Sequence, residues 1–354
     1  MNTTELVQER SALICCGSGG VGKTTVAAAF GLEAARRGRR ACVVTIDPAK
    51  RLADALGLGS LSNSAARVDY DAPGELWALM LDTKTTFDEL IVRYSGSEQQ
   101  ARGILDNRLY RNLSQALSGT QEYMAMEKLY ELHEDPRFDL VVVDTPPTRN
   151  ALDFLDAPAR LTRFLDNRVF RLLVMPTRAY LKAVSVATQA FLRTVSKVVG
   201  AEVVDDAVAF FQAFEGMEAG FRERAARVQD LLHDQTTAFV VVASPRKDTV
   251  EEAAYFVDRL GASGYETANL VVNRLHPRFA EPGTAARLSA EGRHDDLVAN
   301  LAQLEAVGER EEGHFAELAQ SVAPAPVTRV PFLAEDVHDL AGLERVAGYL
   351  FSAA

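Results

Sequence analysis

The sequence feature that most constrains the fold is a glycine cluster, Gly17 to Gly22 (GSGGVG), which separates two unlike segments. A short apolar run, Ala12 to Cys16, precedes the cluster, and an alanine-rich stretch, Lys23 to Arg37, follows it and stops at Gly38. A second apolar run, Ala41 to Ile46, comes next. This order predicts a strand, a loop, a helix and a strand, and continuous apolar strands are typical of a parallel sheet covered on both faces.

Further apolar runs continue this pattern along the chain. They predict strands at Leu76 to Leu81, Leu140 to Val143, Phe239 to Ala243, Leu270 to Val272 and Val327 to Val330. The gaps Thr85 to Asp135 and Pro158 to Gln235 are too long for simple crossovers and carry apolar residues at helical spacing. We therefore expect an α/β core of residues 1–84, 136–157 and 236–354, and a helical subdomain made of the insertions 85–135 and 158–235. The acidic segment Pro277 to Pro326 is expected to be an irregular surface excursion with a helix or two.

Composition excludes several classes of protein. The 354 residues carry 38 basic and 49 acidic side chains, a net charge of −11, which argues against a nucleic-acid partner. No uncharged apolar run approaches the roughly 20 residues that span a bilayer, and Met1 to Arg10 lacks the pattern of a signal peptide. Three cysteines, Cys15, Cys16 and Cys42, suggest no disulfide framework and are expected to be buried as small apolar side chains. We expect a soluble, cytoplasmic protein that reaches a membrane only through a partner.

The glycine cluster fits two phosphate-binding motifs. Its glycines match the dinucleotide pattern G-x-G-x-x-G, with Asp47 as a candidate ribose ligand. The cluster followed by Lys23 and Thr24 also matches G-x-x-x-x-G-K-[ST], the P-loop. A P-loop needs an ammonium for the β- and γ-phosphates and a hydroxyl for Mg²⁺, whereas a dinucleotide loop needs neither. Lys23 and Thr24 therefore favour an α/β P-loop NTPase fold with a mostly parallel, doubly wound sheet and an inserted helical subdomain.

Two aspartates at predicted strand ends complete the candidate site. Asp144 ends a buried apolar run, which is the Walker-B arrangement that holds Mg²⁺ directly or through water; a helix cap or a turn is the alternative. The following residues Thr145 to Thr148 (TPPT) predict a stiff loop beside the γ-phosphate. Asp47 belongs to the same layer, because strand ends in such a sheet converge on the ligand crevice, and it could orient or deprotonate the attacking water. A supporting or capping role is the alternative for Asp47.

Several motifs together resemble the anion-transporting ATPases, a family that includes arsenite-efflux ATPases and targeting ATPases for tail-anchored membrane proteins. Gly19 to Thr25 (GGVGKTT), Thr45 to Ala49 (TIDPA) and Val143 to Thr148 (VDTPPT) resemble the family's P-loop, switch I and switch II. Val271 to Arg274 (VVNR) and Val330 to Leu333 (VPFL) are similar to its adenine-side segments. The resemblance covers essentially the whole chain and implies ATP, Mg²⁺ and a nucleotide-sandwich dimer that opens and closes with hydrolysis.

The resemblance also implies roles for individual residues. It places nucleotide contacts at Gly19, Gly20, Val21, Gly22, Lys23, Thr24, Thr25, Asn273 and Pro331. It implies catalysis by Lys23 and Asp47, Mg²⁺ binding by Thr24 and by Asp144 (the latter directly or through water), and switch movements at Asp47, Asp144 and Thr148. The expected function is Mg²⁺-dependent ATP binding and hydrolysis in a dimer, coupled to a client, for example a membrane protein, through the helical subdomain.

One position departs from the family pattern. Family P-loops usually begin Gly-Lys-Gly-Gly, and that lysine reaches the partner subunit's phosphates; here the position is Ser18. The chain is therefore most similar to the lysine-lacking member of the paired actinobacterial ATPases. The resemblance implies a heterodimer or higher hetero-oligomer with a lysine-bearing paralogue, with weak activity alone; a homodimer is the alternative. Two other functions stay open: a non-catalytic ATP-binding switch, and the energising subunit of an anion efflux pump or a membrane-protein targeting factor at the inner membrane face.

The second insertion offers two candidate surfaces. Phe210, Phe211, Phe214 and Phe221 either line a groove for an apolar client or form the core of the subdomain, and their spacing favours the core. The segment Arg160 to Lys182 is strongly basic and is either a solvated face or a docking stripe for an acidic partner or an anionic headgroup.

Overall fold

A computed structural model describes residues 2–47, 51–108, 110–111, 120–146, 155–166, 206, 209–210, 212–293 and 296–352. The chain divides into two compact units. The sheet unit comprises Met1–Leu81, Glu131–Leu152 and His233–Ala354, and the helical unit comprises Asp82–Tyr130 and Asp153–Leu232. Thr148, Phe211 and most of the basic segment Arg160 to Lys182 lie outside the described residues.

The sheet unit contains an eight-stranded sheet in the order β3-β4-β2-β5-β1-β6-β7-β8. Its strands are β1 Ala12–Cys16, β2 Arg40–Thr45, β3 Ala66–Arg67, β4 Glu75–Met80, β5 Leu140–Asp144, β6 Thr237–Ala243, β7 Thr267–Leu275 and β8 Val327–Pro331. Neighbouring strands pair in parallel, except that β3 is antiparallel to β4. All five residues of β1 and all five of β5 are buried, as expected for central strands covered on both faces. The predicted α/β class with a mostly parallel, doubly wound sheet is confirmed.

Helices accompany the strands of the sheet unit. They are Thr3–Glu9, Lys23–Arg36, Arg51–Ala55, Lys247–Ala262, Thr284–Ala290, Asp296–Ser321 and Leu340–Phe351. The segment Pro277 to Pro326 contains two helices, as expected, but it is not irregular, because these two helices, one of them 26 residues long, occupy most of it. The long helix buries few of its apolar side chains, namely Val298, Phe315 and Leu318, which explains why its periodicity is weak in the sequence.

The helix Lys23–Arg36 fixes the position of the glycine cluster. It packs against β2 and β5, and its buried residues include five alanines and a glycine, which allow a close approach to the sheet. Gly31 faces β2 so closely that a Cβ at this position would lie 2.4 Å from Val43 Cγ2. Phe30 is fully buried and its ring meets Phe351 edge to face at 5.4 Å. Tight packing therefore holds the N-terminal end of this helix at the carboxyl ends of the central strands.

The helical unit is built from helices in its described part. Its elements are Thr83–Tyr94, Glu98–Leu105, Thr120–His133, Ala157–Asp166 and Glu218–His233, of which the third and the last run a few residues past the boundaries of the unit. Phe210, Phe214 and Phe221 are buried, and their rings contact one another at centroid distances of 4.9 and 6.1 Å. These three side chains therefore belong to the core of the unit rather than to an open groove.

A buried ion pair joins two helices of this unit. Arg224 donates to the carboxylate of Glu127, a residue with no exposed surface, and the Arg224 guanidinium lies 4.0 Å from the centre of the Tyr130 ring. Within the described part of the chain, no helix is long and apolar enough to cross a membrane.

Candidate functional site

The glycine cluster forms a tight loop between β1 and the helix Lys23–Arg36. Gly17, Gly20 and Gly22 adopt positive φ angles of 152°, 79° and 94°. A Cβ at Gly17 would lie 2.1 Å from the carbonyl oxygen of Val242, so a larger residue would displace the backbone. Gly22 is the N-cap of the helix, and no side chain caps the helix there. The loop therefore presents the positive end of a helix dipole, where backbone N–H groups bind anions such as phosphate.

Lys23 lies inside this loop. Its side chain is almost fully buried, and its Nζ donates to the backbone carbonyl of Ser18 at 2.8 Å. Burial lowers the pKa of the Lys23 ammonium, and the nearby carboxylate of Asp144 partly offsets that effect. A buried ammonium that donates to a backbone carbonyl is well placed to exchange that bond for phosphate oxygens.

Asp144 lies at the centre of a junction between three segments. Its Oδ2 accepts hydrogen bonds from Thr24 Oγ1 at 2.7 Å and from Thr45 Oγ1 at 2.9 Å. Its Oδ1 is buried and has no hydrogen-bond partner among the described residues. Burial raises the pKa of Asp144 to about 6, although the two hydroxyls act in the opposite direction. The strand register explains the junction, since Asp144 pairs with Thr45 on one side and with Cys15 on the other.

The donor set at this junction fits Mg²⁺. Thr24 offers a hydroxyl oxygen and Asp144 a carboxylate, which are the hard oxygen ligands that Mg²⁺ prefers. The free Oδ1 of Asp144 and the raised pKa of its carboxyl both show a buried negative charge that the described residues leave partly uncompensated. A divalent cation at this point would supply the missing compensation.

Asp47 follows β2 and borders the same junction. Its backbone N–H donates to Thr45 Oγ1 at 3.2 Å, so the hydroxyl that supports Asp144 also orients the start of this loop. Its carboxylate lies 3.8 Å from Arg51 Nη1. Beside it, Thr145 Oγ1 donates to the backbone carbonyl of Cys15 at 2.8 Å, which ties the segment after β5 to the end of β1.

These groups line a cavity of about 550 Å³, within the usual size range of ligand pockets. Of the predicted site residues, the lining includes Gly20, Gly22, Lys23, Thr24, Thr25, Asp47, Asp144, Asn273 and Pro331. Gly19 and Val21 belong to the loop but do not line the cavity, and Thr148 lies outside the described residues. Four residues with polar contacts here received no role of their own from the sequence. Three of them, Thr45, Thr145 and Arg274, lie in segments predicted to form the site, and Arg51 was not predicted.

Asn273 and Arg274, at the end of β7, hold the glycine loop. Asn273 Nδ2 donates to the carbonyl of Val21 at 2.8 Å, and Arg274 Nη1 donates to the carbonyl of Gly20 at 2.8 Å. Asn273 Oδ1 also accepts from the Arg274 N–H at 2.9 Å, and Arg274 takes a positive φ of 63°. The side-chain amide expected to contact adenine is thus bonded to the loop in this structure, and a contact with the base stays a prediction.

Ser18 and the cysteines are buried beside the loop. Ser18 is 4% exposed, and its Oγ has no hydrogen-bond partner among the residues that the structure describes. Cys15, Cys16 and Cys42 form no disulfide and are buried, as predicted for small apolar side chains. Burial raises the pKa of the Cys16 thiol to about 12, so it is not a reactive thiolate at neutral pH.

Known proteins with similar sequences are ATPases. An arsenical pump-driving ATPase of Escherichia coli is 25% identical over 297 residues, which cover 82% of this chain and 44% of that protein. ATPase GET3 of Malassezia globosa is 26% identical over 273 residues, covering 77% of this chain and 74% of that protein. ATPase get3 of Botryotinia fuckeliana is 23% identical over 338 residues, which cover 95% of this chain and 88% of that protein. The chain thus spans less than half of the Escherichia coli relative.

The family model described as anion-transporting ATPase matches residues 10–352, from the first strand of the sheet to the last helix. The matched range includes the glycine loop, both aspartates of the junction and the ends of β7 and β8. This chain belongs to the anion-transporting ATPase family.

Proposed function

We propose that this chain binds and hydrolyses Mg²⁺-bound ATP, and that the 550 Å³ cavity is the nucleotide site. The observation that carries the proposal is the contact between Thr24 and Asp144 beside the buried Lys23. It brings together a phosphate-binding ammonium, a hydroxyl and a carboxylate from segments 120 residues apart. A structural role alone would not explain why the second oxygen of Asp144 is left unbonded among the described residues.

Each residue then has a defined task. Lys23 exchanges the Ser18 carbonyl for oxygens of the β- and γ-phosphates, and the N–H groups of the loop bind the same phosphates. Thr24 and Asp144 would hold Mg²⁺, Thr24 through its hydroxyl and Asp144 directly or through a water molecule. Mg²⁺, when bound, neutralises charge on the β- and γ-phosphates. Asp47 accepts a hydrogen bond from the attacking water and aligns it with the terminal phosphorus.

The adenine side is formed by the ends of β7 and β8. Asn273 and Pro331 border the cavity at the end away from Asp47 in the sheet order, since β7 and β8 lie on the opposite side of β1 from β2. We propose that Asn273 exchanges its bond with the Val21 carbonyl for the base. ATP would then extend from the junction at Asp144 across β1 to this edge.

We further propose that the chain acts in the cytoplasm as part of a nucleotide-sandwich dimer, with a lysine-bearing paralogue as its companion. Ser18 supports this assembly, because a buried serine in place of the family lysine offers no cation to a neighbouring subunit. A homodimer of this chain would lack that cation at both sites, and an arginine finger in trans is worth about 10³–10⁵ in rate in other NTPases. The helical unit would pass nucleotide-driven closure to a partner or client.

A second candidate function is a switch that binds ATP without hydrolysing it. The contact between Asp47 and Arg51 favours it, because the guanidinium, 3.8 Å from Asp47 Oδ2, competes with a water molecule for that oxygen. The name arsenical pump-driving ATPase suggests an arsenical client for either function, and the resemblance to targeting ATPases suggests a membrane-protein segment. An arsenical pump would be stimulated by the anion, and a targeting factor by a membrane-protein segment.

Two variants test the proposed function. Lys23→Ala should weaken ATP binding by about 100-fold, because a buried charge-assisted contact is lost. Asp47→Asn should leave ATP binding intact and lower turnover by about 10²–10⁴-fold if the chain is an enzyme. Lys247→Ala is the matched control, since Lys247 is 82% exposed and does not line the cavity.

Binding is measured by calorimetry, and turnover by phosphate release from this chain alone and mixed with its paralogue. Unchanged ATP affinity in Lys23→Ala would contradict the whole proposal. Unchanged turnover in Asp47→Asn would contradict the role given to Asp47. Equal turnover per site with and without the paralogue would contradict the hetero-oligomer.

A further inference from the structure

Three cations line the described part of the cavity, and they differ in how they are held. Lys23 Nζ and Arg274 Nη1 each donate to a carbonyl of the glycine loop at 2.8 Å. Arg51 contacts the cavity through a side chain that is 66% exposed, and its Nη1 lies 3.8 Å from Asp47 Oδ2. At that distance the two groups form an ion pair but no hydrogen bond, so the guanidinium can move at a small cost in free energy.

The backbone of Arg51 is fixed although its side chain is exposed. Arg51 begins the short helix Arg51–Ala55, and the next residue, Leu52, is fully buried in the core of the sheet unit. Leu56, just after the helix, is 2% exposed and belongs to the same core. The Cα of Arg51 is therefore anchored at the rim of the cavity, and only its side chain is free to change direction.

The lining of the cavity carries more negative than positive charge, so a mobile cation is favourable when a triphosphate binds. Its lining carries five carboxylates, from Asp47, Asp54, Asp144, Glu335 and Asp336, and three cations, from Lys23, Arg51 and Arg274. A triphosphate brings further negative charge, which in phosphoryl transfer is concentrated on the oxygens of the terminal group. The planar guanidinium of arginine matches two oxygens of a phosphate at once, which an ammonium does not.

We propose that Arg51 is the terminal-phosphate sensor of this site. In the absence of ATP it pairs with Asp47; when a triphosphate is bound, its guanidinium moves to the γ-phosphate oxygens. Arg51 thereby supplies in cis a charge at the terminal phosphate and lets the site distinguish ATP from ADP. The inference rests on the proposed function, because it requires the cavity to bind ATP.

The test compares affinities for ATP and ADP, both with Mg²⁺, in Arg51→Ala, Arg51→Lys and the wild type. A contact made only to the γ-phosphate should disappear in Arg51→Ala, so ATP should bind about tenfold more weakly while ADP changes by less than about twofold. The ATP affinity of Arg51→Lys should lie between those of Arg51→Ala and the wild type, because lysine keeps the positive charge but lacks the planar guanidinium that binds two phosphate oxygens at once. The control is Arg67→Ala, since Arg67 also pairs with a carboxylate, is 61% exposed and does not line the cavity.

A second measurement separates a role at the phosphate from a role in packing. Added guanidinium at low millimolar concentration should restore ATP preference to Arg51→Ala and leave Arg67→Ala unchanged, because a small cation can fill a vacated charge site but cannot repair a fold. The readout is the ratio of the ADP and ATP dissociation constants, which does not depend on turnover.

The outcomes are distinct. An unchanged ratio in Arg51→Ala, or an equal loss of ATP and ADP affinity, overturns the inference while leaving the proposed function standing. Absence of ATP binding in both the wild type and Arg67→Ala overturns the proposed function and the inference with it. Selective loss of ATP affinity that guanidinium restores supports both.

Discussion

Replacing Asp144 by asparagine should make the metal-free protein less sensitive to pH. Asp144 is 1% exposed, and burial raises the pKa of its carboxyl from an ordinary value of 3.8 to about 6. An asparagine keeps the oxygen that accepts from Thr24 and Thr45 and places an amide where the unbonded Oδ1 now lies. The substitution therefore removes the buried charge with little change in shape.

The magnitude follows from the raised pKa of Asp144. At about 1.4 kcal/mol for each tenfold change in an equilibrium constant, the difference between 3.8 and about 6 corresponds to about 3 kcal/mol. The folded state binds the proton more tightly than the unfolded state, so this stabilisation is complete below the unfolded pKa. It is lost as pH rises through the folded pKa. From about pH 4 to about pH 7 the wild type should lose about 3 kcal/mol through this group, and Asp144→Asn should lose none of it.

The new amide has a cost that does not depend on pH. A buried N–H₂ group without a partner costs about 1–3 kcal/mol, so Asp144→Asn can be less stable than the wild type at low pH. The quantity to compare is therefore the difference in free energy of unfolding between the two proteins at several pH values. That difference should move in favour of the variant as pH rises.

The single tryptophan makes this measurement specific to the sheet unit. Trp77 lies in β4, and its ring packs edge to face on Phe138 at 5.9 Å. Urea unfolding followed by tryptophan fluorescence, in EDTA and without nucleotide, reports the unit that contains Asp144. Fluorescence from one site in one unit avoids treating the whole chain as a two-state system.

Asp139→Asn provides a control of opposite sign. Hydrogen bonds from Arg40 lower the pKa of the Asp139 carboxyl, so that its contribution to stability is present above the unfolded pKa and is lost as pH falls. Asp139→Asn should be less stable than the wild type at neutral pH, and the gap should close on acidification. A difference between Asp144→Asn and the wild type that stays constant from about pH 4 to about pH 7 would refute the account of the junction given above.

Two further substitutions test the packing of each unit. Gly17→Ala should lower the melting temperature and weaken ATP binding, because its Cβ would lie 2.1 Å from the carbonyl oxygen of Val242. The control Gly348→Ala lies at an open helical position and should leave the melting temperature unchanged or raise it. Equal changes in the two variants would contradict the geometry of the loop. Arg224→Met should destabilise the helical unit by about 3–5 kcal/mol, measured by far-ultraviolet circular dichroism, because it leaves the fully buried Glu127 without its cation. Arg102→Met, at an exposed ion pair, should change the same signal by less than about 1 kcal/mol, and a similar loss in both variants would argue against a special role for the buried pair.

The sequence predicts the buried part of the fold well and its edges poorly. Central parallel strands are apolar along their whole length, so seven of the eight strands stand out as runs such as Ala12 to Cys16. β3 does not, because it has two residues and lies antiparallel at the edge of the sheet. The segment Pro277 to Pro326 was expected to contain a helix or two, but the length of the helix Asp296–Ser321 was not predicted, since a helix that buries only a few apolar side chains shows little periodicity.

The candidate site also contains residues that the sequence predicts and residues that it does not predict. Lys23, Thr24 and Asp144 are recognisable because a local motif or a strand end marks them. Thr45 is not, because its contact with Asp144 depends on the register between β2 and β5, which no local pattern encodes. Arg51 lies near switch I but has no motif of its own, and its place in the cavity follows only from how the short helix is anchored.

The strand order has a consequence for how the chain is made. β1, which carries the glycine loop, is the first strand to be synthesised, yet its two neighbours in the sheet are β5 and β6. A nascent chain must therefore extend to Ala243 before β1 is paired on both edges. β1 can pair with β5 once the chain extends to Asp144, and it has only that one neighbour until β6 is synthesised. An apolar strand with an unpaired edge slows folding and exposes the chain to aggregation. The contact between Thr24 and Asp144 also forms only after β5 is synthesised, so a ligand held at that junction cannot stabilise the earlier part of the chain.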